Sequence, residues 1–112
     1  MSNEVYHMDC MDFMQSIPDK YFDLAIVDPP YGIQRSRIGY RKLWKYYKPK
    51  DWDDAPPDKK YFDELFRISK NQVIFGGNYF APYLSPSMGW IVWDKGQKLT
   101  MSDGELAYTS FH

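Results

Sequence analysis

A single cysteine, two histidines and the lack of any apolar run near 18 residues remove three classes of protein at the outset. With Cys10 alone no internal disulfide can form, and the thiol is expected to stay reduced. His7, Cys10 and His112 do not have the spacing of a zinc site, so no metal is expected. A membrane helix needs about 20 consecutive apolar residues. None is present, and no secretion signal is visible, so the expectation is a cytoplasmic protein without membrane contact. Internal repeats and low-complexity tracts are missing as well.

Acidic residues are absent from one stretch in particular, between Gly32 and Lys50. There Arg35, Arg37, Arg41, Lys42, Lys45, Lys48 and Lys50 supply 7 of the 14 cations of a chain whose net charge is −1. Tyr40, Trp44, Tyr46 and Tyr47 are interleaved with them. Cations reach phosphates and rings stack on unpaired bases, so DNA is the expected partner, with Arg35, Arg37, Arg41, Lys42, Trp44 and Lys45 as contacts. The competing explanation is a solvated basic loop over 32–57, which Gly39, Pro49 and the Pro56-Pro57 pair would suit.

Aromatic residues, by contrast, are plentiful at 19% of the 112 residues. Much of that surface must be core or stacking surface. The length corresponds to one domain, 1–112, and a domain of this size buries only about two-thirds of its unfolded surface. The order of elements indicates an α/β unit with a mixed sheet of about five strands. Val5 to Met8 reads as a strand and Cys10 to Ile17 as a short helix with Met11, Met14 and Ile17 on one side. Asp23 to Val27 reads as a further strand. Asp58 can cap a helix from Lys59 to about Ser69 that carries Phe62, Leu65, Phe66 and Ser69 on one face. Gln72 to Phe75, Gly89 to Trp93 and Glu105 to Phe111 complete the strands, the last two as an antiparallel pair joined through Gly96 and Gly104. Trp90 and Trp93 fall on opposite faces and are expected to pack.

The chemistry concentrates at Asp28-Pro29-Pro30-Tyr31. The apolar run Leu24 to Val27 suits a strand buried on both faces of a parallel sheet, and the tetrapeptide follows at its carboxyl end, where such sheets leave a ligand crevice. Pro29 holds Asp28 extended, and neither proline donates a hydrogen bond. The loop therefore offers acceptors: the Asp28 carboxylate and the Pro29 carbonyl suit the two hydrogens of a planar amine, and the Tyr31 ring can stack on the attached heterocycle.

At these residues the chain resembles the DNA amino-methyltransferases, whose signature is Asp/Asn/Ser-Pro-Pro-Tyr/Phe at the end of the fourth strand. The segment from Met8-Asp9-Cys10 to Asp23 resembles the one that precedes the motif in the permuted class. Asn71 to Phe80, Trp90 to Lys95 and Glu105 to Phe111 resemble later strand regions of a phage and bacterial branch. The resemblance implies a partial Rossmann-like fold dependent on S-adenosylmethionine. It also implies methyl transfer to the exocyclic amine of a flipped DNA base, with Asp28, Pro29, Pro30 and Tyr31 as the catalytic residues. Asp at the first motif position favours adenine N6, with cytosine N4 as the alternative. Asp9, Cys10 and Asp28 would contact the cofactor, although Asp9 equally suits a helix N-cap. Asn78, Tyr79 and Phe80 would line the pocket or serve the core.

No Phe-x-Gly-x-Gly occurs, and Gly76-Gly77 lacks the spacing to replace it. The resemblance therefore covers the catalytic half of such an enzyme, whether a truncated polypeptide, a cut-down gene or one part of a split enzyme. A non-catalytic DNA-binding or regulatory fragment is the competing function. With its neighbour strand missing, Leu24 to Val27 would be an apolar sheet edge, so self-association or a complementary C-terminal half is expected there.

Overall fold

The computed structural model describes residues 3–30, 57–94, 96 and 104–112. Its first element, α1 (Cys10–Gln15), starts at Asp9, whose carboxylate accepts from the Met11 amide at 2.8 Å. The helix ends two residues earlier than its apolar spacing suggests. Ser16 turns its hydroxyl back onto the Phe13 carbonyl at 2.7 Å, and Pro18 disfavours a helical Ile17. Strand β1 (Phe22–Val27) follows.

Helix α2 (Lys59–Ile68) forms as its sequence predicts, with the Asp58 carboxylate accepting from the Tyr61 amide at 3.2 Å. It delivers the chain to β2 (Ser69–Phe75), and two 3-10 turns, Gly77–Tyr79 and Ala81–Tyr83, lead on to β3 (Trp90–Asp94) and β4 (Gly104–Thr109). The sheet order is β1-β2-β4-β3. Strand β1 runs parallel to β2, with Val27 level with Ile74, whereas β4 is antiparallel to both β2 and β3. A parallel β1–β2 pair requires a crossover, and α2 lies within it, running back so that its amino end meets the carboxyl end of β1.

The core lies between the two helices and one sheet face. Phe62, Leu65 and Ile68 of α2 are buried with Met14, Ile74, Phe80 and Tyr108. Phe62 and Phe80 are fully enclosed, with ring centroids 5.1 Å apart, and each such ring contributes about 1.5–3 kcal/mol by leaving water. Two cations lock α1 and the following turn to α2. Arg67 donates to the carbonyls of Met14 and Ile17 at 2.8 Å each, and Lys20 donates to the Phe66 carbonyl at 2.6 Å and to that of Ser69 at 3.2 Å. These bonds add donors to carbonyls at and just beyond the helix ends.

Four expectations need correction. The described sheet has four strands where about five were expected. Val5 to Met8 is not one of them: no described strand lies beside it, and Val5 is 97% exposed. Leu24 and Ile26 are 43% and 63% exposed, on a strand with one described neighbour. Strand β1 forms one edge of the described sheet. Trp90 and Trp93 are not enclosed either, being 39% and 52% exposed on β3, the other edge strand. Trp90 does pack edge-on against Tyr108, with centroids 5.6 Å apart. No helix among the described residues is long and apolar enough to cross a membrane.

Candidate active site

At the carboxyl end of β1 the backbone leaves the sheet through Asp28, Pro29 and Pro30. Asp28 is exposed, Pro29 is buried and Pro30 is half-buried. The two prolines favour an extended chain, and with Asp28 they line a cleft of about 640 Å³. That volume falls within the usual range for small-molecule sites.

Asp9 and Cys10 line the same cleft. They come from the start of α1, nearly 20 residues before the motif, and the cap geometry sets their position. Asp9 is extended, at φ −62° and ψ 129°, and its Oδ1 accepts from Met11. The N-cap role of Asp9 is therefore observed, and it leaves Oδ2 outside the cap. The Cys10 thiol is pushed above its ordinary range, first by burial and then by the Asp9 carboxylate, while the amides of Cys10 and Met11 pull the other way. At neutral pH it is a thiol and a poor nucleophile.

The third wall was not foreseen as part of a site. Pro57, Asp58 and Tyr61, at the amino end of α2, also line the cleft. The Asp58 cap was legible, but its place beside the Asp28 loop depends on the crossover bringing the start of α2 to the end of β1. Tyr61 packs edge-on against Phe62, with centroids 5.0 Å apart. Burial is the main reason its phenol is pushed up to about 12, with a smaller contribution from Cys10. A second cavity of about 280 Å³ lies behind this wall, shares Cys10, Val27 and Tyr61 with the cleft, and is otherwise apolar, including Phe13, Phe22 and Leu65.

The chemistry of the cleft is one-sided. Its described lining carries three carboxylates, from Asp9, Asp28 and Asp58, and no Lys or Arg. The prolines add carbonyls without amide donors. Such a surface favours ligands that present N–H groups or positive charge and disfavours phosphate. Among the described residues no three or more His, Cys, Asp or Glu side chains are placed so that they could hold a metal ion.

Of the residues expected at the site, Asp9, Cys10, Asp28, Pro29 and Pro30 converge on this cleft. Tyr31 and the basic residues Arg35, Arg37, Arg41, Lys42, Trp44 and Lys45 lie outside the described residues. Asn78, Tyr79 and Phe80 do not line the cleft; Phe80 is wholly in the core, while Asn78 and Tyr79 are exposed. Gly76 adopts φ +71°, and a Cβ on Gly77 would sit 2.5 Å from that of Tyr108, so this glycine pair serves a tight turn against β4.

No protein-family model matches the chain. It is 29% identical over 99 residues to the Type II methyltransferase M1.MboII of Moraxella bovis, a match covering 83% of this chain and 37% of that protein. It is 37% identical over 46 residues to the Type II methyltransferase M.BglII of Bacillus subtilis, covering 41% of this chain and 13% of the other. The matches span 37% and 13% of the length of these relatives, and the similarity they show, at low identity, is to Type II methyltransferases.

Proposed function

We propose that this chain forms the amine-binding wall of an S-adenosylmethionine-dependent DNA methyltransferase acting on an exocyclic base amine, with adenine N6 favoured over cytosine N4. The observation that carries this reading is the convergence of Asp9-Cys10 and Asp28-Pro29-Pro30 on one acceptor-rich cleft. The similarity to Type II methyltransferases agrees with it.

Within a duplex the amine is out of reach, so the target nucleotide must be extruded, at a cost of about a few kcal/mol. The Asp28 carboxylate and the Pro29 carbonyl would then accept the two amine hydrogens, drawing the nitrogen lone pair out of conjugation with the ring. Tyr31 is assigned the stacking role through the motif. S-adenosylmethionine supplies an electrophilic methyl group. The cleft fits it chemically, since carboxylates that attract N–H donors also favour a sulfonium; Asp9 and Cys10 would hold it, with Asp28 between cofactor and base. The phosphates would fall to the basic segment carrying Arg35, Arg37, Arg41, Lys42, Trp44 and Lys45, because the cleft itself is acidic.

The reading is tested by transfer of labelled methyl from S-adenosylmethionine to duplex DNA, with separate duplexes in which adenine or cytosine amines are blocked. Label on adenine that disappears with Asp28→Ala supports it, and label on cytosine transfers it to N4. A second reading is binding without turnover, and DNA binding without label would select it. Association at the β1 edge belongs to the same proposal, because Leu24 and Ile26 are exposed on a strand with one described neighbour. Sedimentation showing a stable monomer at micromolar concentration would remove that part.

A further inference from the structure

The described wall of the cleft is rich in acceptors, yet two of its side chains can donate: the Cys10 thiol, which donates weakly, and the Tyr61 hydroxyl. Amine-bearing bases do not present amine hydrogens alone. In adenine and cytosine a ring nitrogen with an exposed lone pair lies next to the amino group, and it needs a donor. A wall of carboxylates and proline carbonyls satisfies the amine and leaves that nitrogen facing acceptors, at a cost comparable to any buried polar group without a partner.

We propose that Tyr61 is a specificity-determining residue whose hydroxyl donates to the ring nitrogen beside the exocyclic amine, so that the cleft reads the whole N–C–NH2 edge. This rests on the reading of the cleft as an amine site. Tyr61 stands on the first turn of α2, which the β1–β2 crossover brings to the carboxyl end of β1, and it lines the cleft together with Asp28, Pro29 and Pro30. Its edge-on contact with Phe62 restrains the ring, which lines both cavities. Burial holds the phenol neutral far above physiological pH, so the proton to be donated is always present. The carboxylates of Asp9, Asp28 and Asp58 only accept, and the Met, Val and Pro side chains donate nothing, which leaves the Tyr61 hydroxyl as the strong side-chain donor of the described lining.

The same edge occurs in the adenine of the methyl donor and in the target base, and the test separates the two. Binding is measured for S-adenosylhomocysteine and for a single-stranded oligonucleotide with one adenine, each compared with its 1-deaza analogue, which keeps the amine and loses the nitrogen of the N–C–NH2 edge, and with its 7-deaza analogue, which keeps that edge, as the control. In the native chain the 1-deaza deletion should weaken binding about tenfold, the usual worth of one net hydrogen bond, and the 7-deaza deletion should not. In Tyr61→Phe, which keeps the ring and hence the packing, the same deletion should have no effect, and the melting temperature should hold. The arm in which this happens identifies the source of the edge. If Tyr61→Phe remains as sensitive to the deletion as the native chain, or if no deletion matters in either arm, the assignment of Tyr61 is overturned while the amine site stands. If the native chain binds neither parent ligand, the amine site falls as well.

Discussion

Replacing Gly77 by alanine separates two explanations of the Gly76-Gly77 pair, packing and ligand approach. A Cβ built on Gly77 lies 2.5 Å from the Tyr108 Cβ, 3.1 Å from its amide nitrogen and 3.3 Å from its Cα. None of these atoms belongs to the far end of a flexible side chain. Tyr108 cannot withdraw easily, since it sits level with Ile74 of β2 on one side and Trp90 of β3 on the other. The added methyl therefore forces a backbone shift in a core strand, at about 1–3 kcal/mol. At about 4 °C per kcal/mol for a domain near this size, the melting temperature should fall by about 4–12 °C. Thermal and urea unfolding measure the loss, and ligand binding well below the transition should be unchanged because Gly77 does not line the cleft. An unchanged melting temperature together with weakened S-adenosylmethionine binding would refute the packing argument and make Gly77 a ligand contact.

The exposed Asp28 can be changed without disturbing the core, so Asp28→Asn should reduce methyl transfer at least about 100-fold while circular dichroism and melting temperature stay the same. Tyr61 and Tyr108 are both raised by burial, Tyr61 to about 12 from 10.0. A raised phenol stabilises the fold fully below the unfolded value and loses that contribution as pH climbs through the folded one, so stability should decline between about pH 10 and 12. Urea midpoints across that window should fall less steeply for Tyr61→Phe. Arg67→Met removes the side-chain donor from the Ile17 carbonyl and one of the donors to the Met14 carbonyl, which keeps the Ile17 amide, and should lower the melting temperature; it should also speed amide exchange across residues 10–17, which carry Cys10 of the cleft wall.

Helix α2 was legible because its signals are local: a capping Asp58, then Phe62 and Leu65 at helical spacing. Strand β1 was legible as a strand but not in its burial. An apolar run records that cover is needed without recording what supplies it, and Leu24 and Ile26 are exposed. Val5 to Met8 carries strand-like composition and lacks a described neighbour to pair with, so propensity alone misplaced it. The Asp9-Cys10 and Asp28-Pro29-Pro30 walls were visible through their motif. Pro57, Asp58 and Tyr61 were not, since they reach the cleft by the crossover and leave no pattern in the adjacent sequence.

The central claim is that segments far apart in the chain form one amine-binding cleft, and amide chemical shifts of the labelled chain during titration with S-adenosylmethionine test it most directly. The account predicts that the amides of Cys10, Met11, Val27, Asp28 and Tyr61 shift together along one binding curve, while those of Gly77, Asn78 and Tyr79 stay in place. Shifts confined to 76–80, or separate curves for the α1 and β1 segments, would contradict it.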